Sequence, residues 1–517
     1  MPTPSSPVRP IPARPNLRMD RKRAKSLLAA ARRGEPDALQ RLTAHHPRFA
    51  DQTDLAALRQ KVALHDAQLV VAREYGFSSW PRWKQFVELR KLDRAARAGA
   101  LVTAACSNNI RKARVLLDSE PQLASFDLYT ACACGEPDAV ARFLARDPAL
   151  ANAEGGPLNH KPILYACFSR FLRADPVRRD GILRAARLLL DRGADPGASF
   201  WIDGEKQRWL QTALYGAGGI ANNLGLLTML LDAGATVDPG DLEVLYHTIE
   251  FPDPACLRLL LERGKPPLQQ IKYCLGRATD FEYPQHIALL LAAGADPNFR
   301  INWDGERTQL HKAVYLDRSI EIIRMLVDAG GEVNAVDERG ISVLRSAVRN
   351  DNAQVIALLR SHGARDDGVS EADARCGDPM TLCVAAGRDD LATIDRLLDG
   401  GADVNAPAAP DQTPPLHWAA WRGRFNAVRR LVERRADVHW VNTYGGTALG
   451  TAIHGSANCF DSEGGPGMRL PEEALPGEYP RIVEYLIALG AKLPDRIRGG
   501  SEAVQDILRR HGVLDAE

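Results

Sequence analysis

The sequence predicts an all-α fold, an α-solenoid of helix-turn-helix repeats with short hairpin fingers, preceded by a helical N-terminal region. The chain has 517 residues, more than one compact core usually holds, which leaves several domains or one elongated array. Residues 411–438 contain two amphipathic segments, each too short to bury its own apolar stripe. Segments ending in Leu-Leu-x-x-Gly-Ala or a variant recur about every 33 residues, and this recurrence favours the array.

The N-terminal part of the chain lacks the repeat. Residues 1–17 carry six prolines and are predicted to form a disordered tail. Residues 18–95 are predicted to be helical, and their basic cluster from Arg18 to Lys25 is followed by leucines at core-like spacing. That spacing favours the solvated side of a helix over a nucleic-acid site. Trp80 and Trp83 flank a helix start, where packing is favoured over a binding surface.

The repeat array is predicted over residues 96–497, with about eleven copies and its earliest degenerate copy at 101–118. Each copy has an Ala-rich first helix, a break and a second helix. Residues 498–517 are predicted to form helices that cap the array. The glycines expected to end second helices in a left-handed conformation include Gly193, Gly294 and Gly401.

This pattern closely resembles the ankyrin repeat. The family motif T-P-L-H-x-A-A, a Gly-containing turn, a second helix and G-A-D-x-N are met most fully at 379–405 and 413–438. Gly387 and Gly423 are expected in the turn between the two helices, where glycine relieves backbone strain. The resemblance also implies that His311 and His417 each form a hydrogen bond with a neighbouring turn and do not bind metal.

Several copies depart from the family motif. Pro414 stands where the family has Thr, and Arg435 replaces the capping glycine. The N-terminal run DAQLVVAREYGFSSWP resembles a segment found ahead of ankyrin arrays in bacterial proteins. The resemblance therefore implies that the N-terminal helices close that end of the array.

Composition excludes several classes of partner and cofactor. The net charge of +1 gives no overall field that would attract nucleic acid or a membrane surface. Nine scattered cysteines without a CxxC pair predict reduced thiols in a cytoplasmic protein. No apolar run reaches the ~20 residues of a membrane helix, and no phosphate loop, GxSxG elbow or HExxH helix is present. We expect no cofactor, no metal and a monomeric chain.

An insertion at 454–480 splits the last repeat between its two helices. It brings together His454, Cys459, Asp461 and Glu463, which could be a nucleophile with a base or a set of metal ligands. An acidic segment rich in Gly and Pro produces such a cluster by composition alone, so we expect no catalytic residue here.

Aromatic and arginine residues outside the repeat consensus are the candidate partner-binding residues. Two connections, 200–214 and 300–310, share Trp, Asp-Gly-Glu and a basic residue, and Asp-Gly indicates a hairpin turn. The resemblance implies binding through such fingers and the concave face of the first helices, where Trp, Tyr and Arg are typical hot spots. The alternative is that Trp201 and Trp303 pack under their own loops. The candidates are Trp201, Trp303, Tyr315, Arg349, Trp421, Arg422, Trp440 and Tyr444.

The sequence thus predicts a non-catalytic scaffold or adaptor that binds a partner protein. Two alternatives stay open. One is an enzyme or toxin with its chemistry in the N-terminal region or in 454–480. The other is an architectural subunit of a larger assembly.

Overall fold

The computed structural model describes residues 9–12, 15–49, 54–77, 80–107, 110–203, 208–300, 306–366, 368–370, 373, 379–408, 412–443, 445–458, 477–497 and 499–515. The chain forms two compact units. The first comprises Met1–Ala105 and Asn109–Thr130, and the second comprises Cys106–Asn108 and Ala131–Glu517.

The first unit is helical. Asn16 begins the first helix, because its side chain accepts hydrogen bonds from the backbone N–H groups of Arg18 (3.0 Å) and Met19 (3.3 Å). The basic residues from Arg18 to Lys25 are exposed, as the sequence predicted. The helices are α1 (Leu17–Arg33), α2 (Pro36–His45), α3 (Leu55–Lys61), α4 (Leu64–Glu74), α5 (Trp80–Leu89), α6 (Arg94–Ala105) and α7 (Ile110–Ser119), with 3-10 turns at Pro47–Phe49 and Pro121–Ser125.

Trp83 lies in the core of this unit. Its ring stacks on Tyr75 with centroids 4.3 Å apart, and its indole N–H donates to the buried carboxylate of Asp20 (3.1 Å). Trp80 is half-buried and packs against the same core. The prediction that both tryptophans pack is confirmed. The predicted copy at 101–118 corresponds to α6 and α7, which pack against each other in this unit.

The second unit contains the remaining helices and both pairs of strands. Helix α8 begins in the first unit and ends in the second. The helices are α8 (Leu128–Cys134), α9 (Pro137–Arg146), α10 (Pro162–Cys167), α11 (Phe171–Ala174), α12 (Pro176–Asp191), α13 (Leu224–Asp232), α14 (Glu243–Thr248), α15 (Ala255–Arg263), α16 (Leu268–Ala278), α17 (Pro284–Ala292), α18 (Gln309–Tyr315), α19 (Ile320–Asp328), α20 (Val343–Arg349), α21 (Ala353–Ser361), α22 (Pro379–Arg388), α23 (Leu391–Asp399), α24 (Pro415–Trp421), α25 (Phe425–Glu433), α26 (Ala448–Asn458), α27 (Tyr479–Ala488) and α28 (Glu502–Arg510).

Helix pairs in this unit stack in two layers. First helices pack on first helices, as in α18 on α20 and α22 on α24 on α26. Second helices pack on second helices in the runs α12–α13–α15–α17–α19–α21 and α23–α25–α27. Leu416, Ala419 and Leu431 lie in one buried cluster that extends from Leu382 to Val513. Each short helix therefore buries its apolar side against neighbouring pairs, and the predicted all-α array of helix-turn-helix repeats is confirmed.

The predicted cap and turn glycines adopt the expected backbone conformation at Gly401 and Gly423 but not at Gly387. Gly401 has φ +98° after α23, where its N–H donates to Leu398 O (3.1 Å). Gly423 has φ +70° in the turn after α24, as predicted. Gly387 was wrongly placed in a turn, since it lies inside α22. Asp389 (φ +61°) takes the left-handed position instead, and its carboxylate accepts from Ala427 N (2.7 Å).

The two histidines of the first helices are buried. His417 Nε2 donates to the backbone oxygen of Gly446 (3.1 Å) in the next turn, as expected. His311 Nε2 instead lies 3.2 Å from Ser346 Oγ, on the next first helix. The histidines thus join neighbouring repeats.

One predicted finger is an antiparallel hairpin. Strand β1 (Ser199–Asp203) pairs with β2 (Arg208–Thr212), and Trp201 is opposite Leu210. In the second predicted finger, residues 301–305 lie outside the described residues. Strands β3 (Arg496–Ile497) and β4 (Leu514–Asp515) form a short parallel pair.

Candidate functional site

The base of the β1–β2 hairpin is fixed to two first helices. Thr212 Oγ1 at the end of β2 donates to Asp241 Oδ2. The other oxygen of Asp241 accepts from the N–H groups of Glu243 (3.0 Å) and Val244 (3.1 Å), where α14 begins. Gln270 of α16 donates to the backbone oxygen of Asp241 (3.0 Å). Burial raises the pKa of Asp241 to about 6 against these hydrogen bonds.

The hairpin presents apolar side chains to solvent. Trp201, Ile202 and Trp209 are 52%, 46% and 36% exposed. The Arg208 guanidinium lies 5.3 Å from the centroid of the Trp201 ring and is 2.8 Å from Asp203 Oδ1. Trp201 is therefore more than half exposed on β1, while the loop residues 204–207 lie outside the described residues.

A cavity of about 550 Å³ lies beside the hairpin, within the range of about 300–1,000 Å³ that is usual for ligand pockets. Trp209 of β2, Leu242, Tyr246 of α14 and Tyr273 of α16 line it, and we call these four residues the aromatic cradle. All four are exposed, Leu242 by 52%. The hairpin and two consecutive first helices thus share one apolar surface.

Charged side chains line the floor of this cavity and are paired with each other. Arg277 Nη2 is 2.7 Å from Glu250 Oε1, and Arg277 Nη1 is 3.2 Å from Asp280 Oδ2. Lys312 Nζ is 2.9 Å from Asp280 Oδ1. Burial alone would raise the pKa of the Asp280 carboxyl, but the nearby cations Lys312 and Arg277 outweigh burial and hold that pKa below its ordinary value. The floor is therefore ionised and internally neutralised.

His247 extends the same network behind Glu243. Its Nε2 is 2.9 Å from Glu243 Oε2, and its Nδ1 is 3.2 Å from Glu250 Oε1. Burial opposes the charged imidazolium, but the two carboxylates outweigh burial and raise the pKa of His247 to about 9. His247 is consequently protonated at neutral pH.

The other candidate residues from the sequence occupy different environments. Tyr315 is buried, with the Arg307 guanidinium 3.9 Å from its ring centroid. Arg349 Nε is 2.7 Å from Asp373 Oδ1, so this chain's own carboxylate occupies it. Both residues therefore contribute to packing and ion pairing within the chain.

The candidates near α24 are also partly covered. Arg422 is buried, and its guanidinium lies 5.1 Å from the ring centroid of the half-buried Trp421. Trp440 is half-buried and donates its indole N–H to Gln412 O (3.3 Å). Trp303 and Tyr444 lie outside the described residues. Trp201 is thus the most exposed candidate in the described chain.

Sequence reasoning missed Trp209, Leu242, Tyr246 and Tyr273. Their helices, EVLYHT and LQQIKYCLGRA, lack the T-P-L-H motif that marked the other first helices. The available signal was one tyrosine in each of two consecutive short helices, and without the motif their registers could not be aligned.

Within the described part of the chain, no group of three His, Cys, Asp or Glu side chains is arranged to hold a metal ion. Of the insertion cluster, only His454 falls among the described residues. None of the helices described is both long and apolar enough to cross a membrane. The cysteines of the described chain are free thiols, and all except the half-buried Cys106 are buried.

Comparisons with known proteins find similarity to ankyrin repeats in part of the chain. A family model for ankyrin repeats, comprising three copies, matches residues 382–462. An ankyrin repeat-containing protein of Treponema pallidum (strain Nichols) is 31% identical over 149 residues, which cover 29% of this chain and 47% of that protein. Human ankyrin repeat and SOCS box protein 16 is 33% identical over 133 residues, which cover 26% of this chain and 28% of that protein. The chain thus spans less than half the length of these two relatives.

A solved structure is also similar. The crystal structure of the ankyrin repeat domain of Bcl-3, a member of the IkappaB protein family, shares 25% sequence identity. The match covers 42% of this chain and 95% of that one, with a TM-score of 0.22.

Proposed function

We propose that the chain is a non-catalytic scaffold or adaptor that binds a partner protein, because residues 382–462 match a family model for ankyrin repeats and such repeats form protein-interaction domains. The binding surface is the β1–β2 hairpin together with the first helices beside it. The observation that carries this proposal is the exposure of Trp201, Ile202 and Trp209 on a hairpin that is anchored at its base by Asp241. Large apolar side chains held on a fixed element lose little conformational entropy on binding.

The compartment is part of the proposal. Six buried free thiols in the described chain support a reducing environment such as the cytoplasm. Trp421 and Trp440 extend the proposed surface along later first helices and turns, whereas the buried Tyr315 and Arg422 support the fold beneath it.

The test is partner capture with a hairpin variant. The triple variant Trp201→Ala, Ile202→Ala, Trp209→Ala removes exposed side chains, so it should retain the wild-type circular dichroism spectrum. We expect partners recovered from the native host by quantitative affinity purification to fall by about tenfold or more, since hot-spot truncations cost about 2 kcal/mol or more.

The matched control replaces exposed apolar side chains at the ends of second-layer helices, Val177→Ala with Leu489→Ala. Equal partner recovery from the wild type and the hairpin variant would contradict the proposed surface. Light scattering on the purified proteins addresses the architectural alternative. An oligomer that the triple variant dissociates would identify a second copy as the occupant.

A further inference from the structure

Charged side chains around the aromatic cradle pair with one another. Glu243, Arg277, Asp280 and Lys312 line the cavity, and the direct partners of these groups are His247 and Glu250. Three cations face three carboxylates, with separations of 2.7–3.2 Å along the chain of contacts. A charged guest would have to compete with an existing ion pair, whereas an uncharged guest leaves every pair intact.

One ring of the aromatic cradle, that of Tyr246, is already in contact with a cation from this chain. The Arg277 guanidinium lies 4.9 Å from the ring centroid of Tyr246 and 4.9 Å from that of Phe281. A ring that already holds a guanidinium offers less to a second cation. The rings of Trp209 and Tyr273 are exposed at the cavity, and Tyr273 also makes a T-shaped contact with Phe299, with centroids 5.2 Å apart. Exposed flat rings favour an aromatic guest through offset or edge-to-face stacking.

The cavity also borders an unsatisfied hydrogen-bond acceptor. Gln270 is more than nine-tenths buried and lines the cavity. Its Nε2 faces the backbone oxygens of Asp238 (3.2 Å), Pro239 (3.2 Å) and Asp241 (3.0 Å). Those three oxygens fix the orientation of the amide, because a flipped amide would place oxygen against oxygen.

In this orientation Gln270 Oε1 has no donor among the described residues. A buried acceptor without a donor costs about 1–3 kcal/mol, so a guest that brings one donor is favoured. The oxygen is inaccessible to solvent in the free chain, so a guest must displace the atoms that cover it. Gln309 Oε1 is a similar covered acceptor, but Gln309 does not line the cavity.

We propose that the aromatic cradle binds an uncharged aromatic side chain with one hydrogen-bond donor, tryptophan or tyrosine, presented by a segment of a partner protein. The ring lies against Trp209 and Tyr273, and its N–H or O–H donates to Gln270 Oε1. This inference rests on the proposed function, because the hairpin that carries Trp209 is part of the same surface.

The test uses a small probe in place of the partner. A ring-fluorinated indole is titrated against the full chain at pH 7 and followed by fluorine NMR. Three analogues differ from it by one property each. The N-methyl analogue lacks the donor, the tryptamine analogue carries a positive charge, and the indole acetate analogue carries a negative charge. We expect the parent indole to bind with a dissociation constant about fivefold lower than that of the N-methyl analogue, the factor for one hydrogen bond of ordinary net strength.

Both charged analogues should also bind more weakly than the parent. Tighter binding of the tryptamine analogue would identify the cradle as a cation site and overturn the proposal. Tighter binding of the acetate analogue would identify it as an anion site and would also overturn the proposal. Equal binding of the N-methyl analogue, or no binding of the parent indole, would overturn it as well.

Two variants locate the probe. Tyr273→Ala and Leu242→Ala each remove an exposed wall, and each should weaken parent binding while preserving the circular dichroism spectrum. Leu489→Ala is the matched control and should leave binding unchanged. Unchanged binding in both cradle variants places the probe elsewhere and overturns the proposal.

Failure of this inference is distinguishable from failure of the proposed function. If the hairpin variant loses its partners while the indole does not bind, only the cradle inference is wrong. If the indole binds in the cradle while partner capture is unaffected, the proposed function is wrong. Light scattering that shows a dimer disrupted by Leu242→Ala would mean that a second copy covers the cradle, which contradicts a partner protein as the occupant.

Discussion

At the scale of single residues, the same side-chain types support either packing or recognition, and the distinction depends on distant partners. Leu416 and Leu431 could be placed in the core from helical spacing alone. The burial of Tyr315 could not be predicted from spacing, because the Tyr315 ring packs against Arg307. Arg307 in turn pairs with Asp337, which lies 30 residues further along the chain. Arg349 is likewise occupied by Asp373, 24 residues away. Sequence spacing does not show which carboxylate reaches which arginine.

The left-handed conformation of Arg435 leads to the first residue-scale prediction. Arg435 has φ +71° where other repeats carry glycine, and it is exposed. A non-glycine residue in this region is strained by about 1 kcal/mol or more, so Arg435→Gly should raise the free energy of unfolding by about 1 kcal/mol. Urea denaturation followed by circular dichroism measures this change in the free energy of unfolding.

Gly401 provides the reverse control. It has φ +98°, and an added Cβ would meet nothing within 4 Å. Gly401→Ala should therefore lower stability by about 1 kcal/mol through backbone conformation alone. A stability decrease for Arg435→Gly would show that the arginine side chain contributes more than its backbone strain costs.

At the scale of elements, local turn signals were sufficient for the hairpin and insufficient for the helices beside it. Asp203-Gly204 predicted the finger over 200–214, and β1 and β2 form it. Helices α14 and α16 carry no comparable motif, although they supply Tyr246 and Tyr273. Their exposure follows from which neighbour each helix packs against, which is a property of the assembled layer.

The ion-pair network that joins α14 to α16 predicts a pH dependence. The pKa of His247 is raised to about 9, so its contribution to stability is fully present below the ordinary value near 6.5 and is lost as pH rises through 9. Replacing it by His247→Gln should flatten the stability profile between pH 7 and pH 10. Thermal denaturation at a series of pH values measures the profile.

Buried thiols also make stability depend on pH, and they do so equally in the wild type and in the His247→Gln variant. Burial raises the pKa of Cys256 to about 12, so unfolding at alkaline pH also ionises cysteines in both proteins. The difference between the stability profiles of the wild type and the His247→Gln variant therefore reports the contribution of the His247 imidazole alone. Parallel profiles for the two proteins would mean that the His247 ion pairs do not contribute to stability in this range.

At the scale of the whole molecule, the repeat pattern was predictable because every helix pair has one apolar side that must be buried against a neighbouring pair. The insertion predicted at 454–480 starts too early and ends too late, because helix α26 continues to Asn458 and helix α27 begins at Tyr479. The buried sides of both helices still join one core with α24 and α25. What the sequence could not provide was the extent of each compact unit. The division near residues 105–131 depends on packing between helices with weak motifs.

The separate cores predict a local response to a core substitution. Leu431→Ala should cost about 2–5 kcal/mol, because it leaves a cavity in the cluster from Leu382 to Val513. Stability in a stack of repeats is carried by intrinsic and nearest-neighbour terms. Hydrogen exchange should therefore rise in α22–α28 and stay unchanged in α1–α5, which contribute to a different cluster.

The exposed Leu489→Ala serves as the control and should leave exchange unchanged throughout. Increased exchange in α1–α5 of the Leu431→Ala variant would mean that the two cores unfold cooperatively.

Layer-on-layer packing has a consequence for folding speed. Helix α18 packs on α19 and α20, and α24 packs on α22, α25 and α26, so the tertiary contacts of a first helix are with its own second helix and with the adjacent pairs along the chain. The sequence separation of such contacts is set by the repeat length and does not grow as pairs are added. Relative contact order consequently falls with each added pair, and the folding barrier reflects closure of one pair onto its neighbour. Arrays of this kind can lengthen without becoming kinetically harder to fold.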